Sequence, residues 1–174
     1  MTGPELGDFG LVSTRGPLLD RLVADAIRLD TDSPVNHAFI YAGNGHIIEA
    51  VRRVKIDCVD QYQDITWSTG RLPKNLTPTP IQRGAIVRAA NAMVGDPYNI
   101  LDIAAIGLAQ RRMGRLVGDH TWWAKRLSAG HREICSQLVD KAYFAAGIHL
   151  FTDGRLSGLV SPGDLWGLLL PATV

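Results

Sequence analysis

Cys135 stands near the start of a stretch with helical periodicity, in Glu133-Ile-Cys-Ser-Gln-Leu-Val139. A thiol placed there meets the positive end of the helix dipole, which favours thiolate over thiol. Free cysteine, with a pKa of about 8.5, is only a few per cent ionised at neutral pH, so a helix terminus and a nearby imidazolium would activate it. Amide groups of the same first turn could donate to an oxyanion developing on a carbonyl. His37, in Asn36-His-Ala-Phe-Ile-Tyr41, is the candidate base, and Glu49, in His46-Ile-Ile-Glu-Ala-Val51, is the candidate for the group that orients it. A carboxylate beside an imidazole holds its tautomer and stabilises its protonated form. Each residue also has a plainer reading. Taken alone, a cysteine on an apolar helix face is ordinarily a small core residue; His37 would be a strand-end histidine with a satisfied hydrogen bond, and Glu49 a solvated side chain.

The elements that must position these side chains follow from periodicity. Asn36–Tyr41 and His46–Val51 are β-rich runs separated by Ala42-Gly-Asn-Gly45, and Asn-Gly between such runs marks a hairpin. His37 and Glu49 would then lie on neighbouring strands, facing the same side. Further strands are expected at Phe9–Ser13, Val54–Val59 and Tyr62–Trp67, followed by Ser68-Thr-Gly70 and a proline-punctuated loop through Pro80. Helical spacing is found over Pro17–Leu29, from Pro80 to Gly95, over Ile100–Leu108 running into Gln110-Arg-Arg-Met-Gly-Arg115, and over His131–Ala146 with Gly147 as C-cap. Strands collect in the first half and helices in the second, without βαβ alternation. The expected fold is α+β, an antiparallel sheet packed against helices, with residues 1–174 forming a single domain.

Composition narrows the function classes. With 174 residues, 46% hydrophobic, 20% charged and a net charge of +1, the chain has an ordinary globular balance and lacks the basic excess that wraps a phosphate backbone, so no nucleic-acid partner is expected. Two cysteines, Cys58 and Cys135, make no disulfide framework. Cys58, on an expected strand, reads as a packing residue, and His46, at the hairpin turn, as solvated. His131 and Cys135 lie four residues apart with Glu133 between them, a spacing that could share a metal ion. The chain has no Cys-x-x-Cys and no His-Glu-x-x-His, and no Pro-Cys-x-x-Cys follows the His-x-Glu pair, so neither metal nor cofactor is expected. Residues 100–127 carry Arg111, Arg112, Arg115, Lys125 and Arg126 against Asp102 and Asp119, beside an apolar run and Trp122-Trp123. This segment reads first as a packed, solvated helical hairpin and second as a peripheral membrane or cell-wall contact. No basic n-region with an apolar h-region opens the chain, and no run approaches the roughly 18 apolar residues of a membrane span. Synthesis in the cytoplasm without a signal peptide is the expectation.

Taken together, His37-Ala-Phe-Ile-Tyr-Ala-Gly43, Ile47-Ile-Glu-Ala50, Gly95-Asp-Pro-Tyr-Asn99 and Ile134-Cys-Ser-Gln-Leu-Val139, followed by Ala145-Ala-Gly-Ile148, resemble the circularly permuted papain-like (NlpC-like) cysteine hydrolases, in particular the YiiX/YaeF-like amidases. Order is the informative part: histidine strand, third polar residue and cysteine helix follow one another, whereas ordinary papain-like enzymes put the cysteine first. The resemblance runs from Gly7-Asp8 to Ser161-Pro-Gly-Asp164 and rests on four short motifs. It implies a circularly permuted papain-like fold with Cys135 as nucleophile, His37 as general base, Glu49 as orienting residue and Tyr98 lining the site near the oxyanion pocket. The implied reaction is hydrolysis of an amide in a cell-wall peptide or a lipid-linked amide through a thioester, with no metal or cofactor. The related lecithin:retinol acyltransferase-like group usually has histidine as its third polar residue, so Glu49 points to the amidase branch. A lipid acyltransferase or thioesterase is the alternative, favoured by residues 100–127, and a non-catalytic binding or virion-assembly module is the alternative of another class. Two features depart from the pattern: Asn36, where many relatives have a small serine-like residue, and the long stretch Ile100–Gly130 between the tyrosine and cysteine motifs.

Overall fold

The turn at Asn44-Gly45 decides the register of the central hairpin. Both residues have positive φ, 51° and 75°, the conformation that a two-residue hairpin turn requires and that asparagine and glycine adopt most readily. In the computed structural model, which describes residues 3–14, 33–51, 53–96, 135–154 and 160–169, β2 (His37–Gly43) pairs antiparallel with β3 (His46–Ala50). Around them lie β1 (Phe9–Val12), β4 (Val54–Cys58) and β5 (Thr66–Trp67), giving an antiparallel five-stranded sheet in the order β4-β3-β2-β1-β5. With helices α1 (Pro80–Ala92), α2 (Cys135–Ala145) and α3 (Pro162–Gly167), the fold is of the α+β class.

Strand alternation sorts side chains onto two faces. Phe9, Leu11, Ala38, Ile40, Ile48, Ala50 and Val54 form the main core with Ile86 and Ala90 of α1, Leu138, Val139, Ala142 and Tyr143 of α2, and Leu165 of α3. On the other face, Val12, Phe39 and Ile47 form a smaller cluster, covered by Tyr41, Val59, Tyr62, Ile65 and Trp67. His37 pairs with Val12, and Phe39 pairs with Glu49, so both candidate residues of the hairpin belong to this second face.

Local signals set the helix ends. Thr79 and Gln82 form a capping box with Pro80 in the first turn of α1. After α2, the Gly147 N–H donates to the Phe144 carbonyl and the Ile148 N–H to the Tyr143 carbonyl, each at 2.9 Å, the paired bonds of a Schellman stop. Ser161-Pro-Gly-Asp164 is the capping box of α3. The Ser136 hydroxyl donates to the Val160 carbonyl at 2.5 Å, which ties the start of α2 to the segment before α3. The entry to β1 is fastened to both long helices: buried Asp8 accepts from Arg83 Nη1 of α1 at 2.7 Å and from Thr69, and the Tyr143 hydroxyl of α2 donates to the Gly7 carbonyl at 3.1 Å.

Three expectations are corrected. Tyr62–Trp67 is not one strand: a 3-10 turn over Val59–Gln61 leads into Tyr62, and only Thr66–Trp67 pairs, with Gly10 and Leu11 of β1. Cys58 does not pack in a core. It is exposed at the end of the edge strand β4, where it stands opposite exposed His46. Glu49 is no solvated side chain but is fully buried. The expected helices at Pro17–Leu29 and Ile100–Leu108, the segment 100–127, Tyr98, His131 and Glu133 lie outside the described residues. Among the described residues no helix is long and apolar enough to cross a membrane.

Candidate active site

Register brings the histidine to the carboxylate. Phe39 stands directly opposite Glu49, so His37, two residues earlier on the same face, is the diagonal neighbour of Glu49, within reach of long side chains. The His37 Nε2 lies 2.9 Å from Glu49 Oε2. Asn36 clips the start of β2 to the end of β1. Its Oδ1 accepts from the Thr14 N–H at 2.8 Å and the Thr14 hydroxyl at 3.0 Å, and its Nδ2 donates to the Thr14 carbonyl at 3.0 Å. The backbone immediately before His37 is therefore held by side-chain bonds as well as by the sheet.

Cys135, 2% exposed, is the first described residue of α2, and its interaction with His37 is the largest influence that lowers the thiol pKa against burial. The imidazole thus interacts with a carboxylate from one element and a sulfur from another.

The electrostatics decide its charge state. Burial pushes the Cys135 thiol up, but the hydrogen bond and charge of His37, with the backbone N–H groups of Ala38 and Ser136, outweigh burial and bring it below its ordinary value. Burial likewise opposes charge on His37, yet hydrogen bonds with Cys135 and Glu49 raise its pKa to about 9. Both shifts run in the same sense, favouring a thiolate facing an imidazolium over the neutral pair. Burial pushes the Glu49 carboxyl up, and bonds from His37 and Tyr62 more than reverse this, so it lies below the usual carboxylate range.

Glu49 holds further partners that the sequence did not single out. The Tyr62 hydroxyl donates to Oε2 at 2.5 Å; Lys55 Nζ lies 3.1 Å from Oε1, and the Gln61 amide donates to Oε1 at 3.4 Å. Lys55 could have been found from the hairpin pattern, since it pairs with Glu49 one strand further out. Nothing local marks Tyr62, which reaches Glu49 only because the 3-10 turn folds back over the second face.

The arrangement can present a charged sulfur nucleophile, a proton donor beside it, and a buried carboxylate that keeps the donor charged. Tyr98 lies outside the described residues, while Cys58 and His46 stand together at the turn end of the hairpin. Among the described residues no group of three or more His, Cys, Asp or Glu side chains is placed to hold a metal ion. In comparisons with known proteins, no family model matches the chain and no curated protein matches it in sequence.

Proposed function

We propose that the protein is a cysteine hydrolase of amide bonds, with Cys135 as nucleophile, His37 as general acid and base and Glu49 as the orienting carboxylate. The observation that carries this reading is the buried His37, bonded to Glu49 on Nε2 and holding the Cys135 thiol below its ordinary pKa. The chain order of strand histidine, carboxylate and helix-start cysteine supports a circularly permuted papain-like arrangement, and an amide in a cell-wall peptide or a lipid-linked amide is the substrate most in keeping with it.

In the acylation step the Cys135 thiolate attacks the carbonyl carbon, and the developing oxyanion needs donors of the kind that backbone N–H groups supply. As the intermediate collapses, the C–N bond breaks and the imidazolium of His37 gives its proton to the departing amine. A thioester remains. Water then attacks it while His37 takes the water's proton, and cleavage of the C–S bond releases the acid and restores the thiolate and imidazolium.

Turnover on a panel of wall peptides and acylated amines tests the proposal, with the acyl-enzyme trapped by acid quenching and weighed by mass spectrometry. Cys135→Ala should fold and show neither turnover nor adduct. A variant as active as the parent rejects the assignment. Transfer of the acyl group to an added amine in preference to water favours the acyltransferase reading instead.

A further inference from the structure

Glu49 is bound on both oxygens, and the two sides compete for it. Oε2 meets His37 at 2.9 Å and the Tyr62 hydroxyl at 2.5 Å, while Oε1 meets Lys55 at 3.1 Å and Gln61 at 3.4 Å. The aim of the Tyr62 hydroxyl is set by packing: its ring stacks on Phe39 with centroids 5.1 Å apart and planes 9° apart, and lies tilted against the His37 imidazole at 5.6 Å. We propose that Tyr62 is a positioning residue whose hydroxyl keeps Glu49 Oε2 in line with His37 Nε2 against the pull of Lys55 on Oε1. The proposal goes beyond the triad and rests on that reading.

The terminal torsion of a glutamate is broad and roughly twofold, so a carboxylate between two cations turns toward the one that holds it better. Lys55, with 40% of its side chain exposed and Asp57 as a second partner, is a partly solvated cation whose pull is weakened by water but always present. A short hydrogen bond from a neutral hydroxyl to an ionised oxygen is of the stronger kind, and it adds no competing charge. The groups that face His37 are Cys135 from α2, Glu49 from β3 and Tyr62 after the 3-10 turn, with Lys55 and Asp57 of β4 behind the carboxylate. Loss of the Tyr62 hydroxyl lets Glu49 turn toward Lys55, so the imidazolium loses part of its counter-charge and gives up its proton at lower pH. Loss of the Lys55 ammonium acts with the opposite sign, because the carboxylate is then left to His37.

The test is alkylation of Cys135 by iodoacetate in the full chain as a function of pH, with the modified peptide identified by mass spectrometry so that Cys58 is counted separately. The reagent is an anion drawn by the imidazolium, so its rate falls on the alkaline side as His37 deprotonates. Tyr62→Phe keeps the stacked ring and should move this limb toward acid by about half to one unit, with kcat on a cleaved amide reduced about tenfold and KM little changed. Lys55→Met should move it toward alkali. A purely structural role would lower the melting temperature of both variants without displacing the limb in opposite directions. An unmoved limb in Tyr62→Phe, or displacement of both variants the same way, overturns the role of Tyr62 and leaves the triad standing. Alkylation of the parent no faster than a model thiol, with no alkaline limb, rejects the triad and the role of Tyr62 with it.

Discussion

Glu49 is a carboxylate taken wholly out of water, and burial of this kind is tolerated only where every oxygen is paired. With Cys135, it holds the pKa of the buried imidazole up against desolvation. Glu49→Gln preserves shape but removes the counter-charge, leaving Cys135 alone against burial, so the His37 pKa should fall from about 9. The parent's kcat/KM should rise on the acid side as the Cys135 thiolate forms and fall on the alkaline side through about 9, where His37 loses its proton. In Glu49→Gln the alkaline limb should retreat toward neutrality and kcat/KM at neutral pH should fall by roughly a hundredfold or more. A full pH–rate profile checks both, and an alkaline limb unmoved in Glu49→Gln would separate Glu49 from His37. His37→Ala should leave Cys135 alkylating more slowly than a model thiol at neutral pH, because the largest influences that lower its pKa against burial are then gone and only the smaller ones of the Ala38 and Ser136 N–H groups remain.

At the scale of elements, the site depends on where two strands begin and what lies across them. Asn36→Ala removes the bonds that fasten β2 to Thr14 and should cost about 1–3 kcal/mol in urea unfolding, with a slower Cys135 alkylation because His37 is the next residue. Gly10 serves the second face by what it lacks. A Cβ there would stand 2.4 Å from the ring of Phe39, the same ring on which Tyr62 stacks. Gly10→Ala should therefore destabilise by about 1–3 kcal/mol, as overpacking does, and should also shift the alkaline limb of alkylation through the displaced Tyr62. A loss of stability with an unchanged limb would uncouple the aromatic layer from the site.

For the molecule as a whole, the network around Asp8 gives stability without touching the site. Arg83→Met strips a nearly buried aspartate, 1% exposed, of its cation, and should cost about 3 kcal/mol, as the breaking of a buried pair does. Cys135 alkylation in the folded protein should stay at the parent rate, measured well before the unfolding transition. The same division between local and distant effects governs what could be read from the chain. The hairpin was legible because Asn44-Gly45 and the alternating runs on either side act over a few residues; so were α1, marked by the change of period from Pro80, and the end of α2 at Gly147. Cys135, His37 and Glu49 could be chosen as candidates by residue type and order. Hidden were the burial of Glu49, the exposure of Cys58, the shortness of β5 and the part taken by Tyr62. Backbone propensity and side-chain period are set by neighbours in sequence, and they determined strands, helix ends and faces. Desolvation and charge pairing are sums over whatever the folded chain brings within a few ångströms, so only the tertiary structure decided that a carboxylate on one strand would be sealed beneath Tyr62 and bonded to an imidazole that interacts with a cysteine nearly a hundred residues further along the chain.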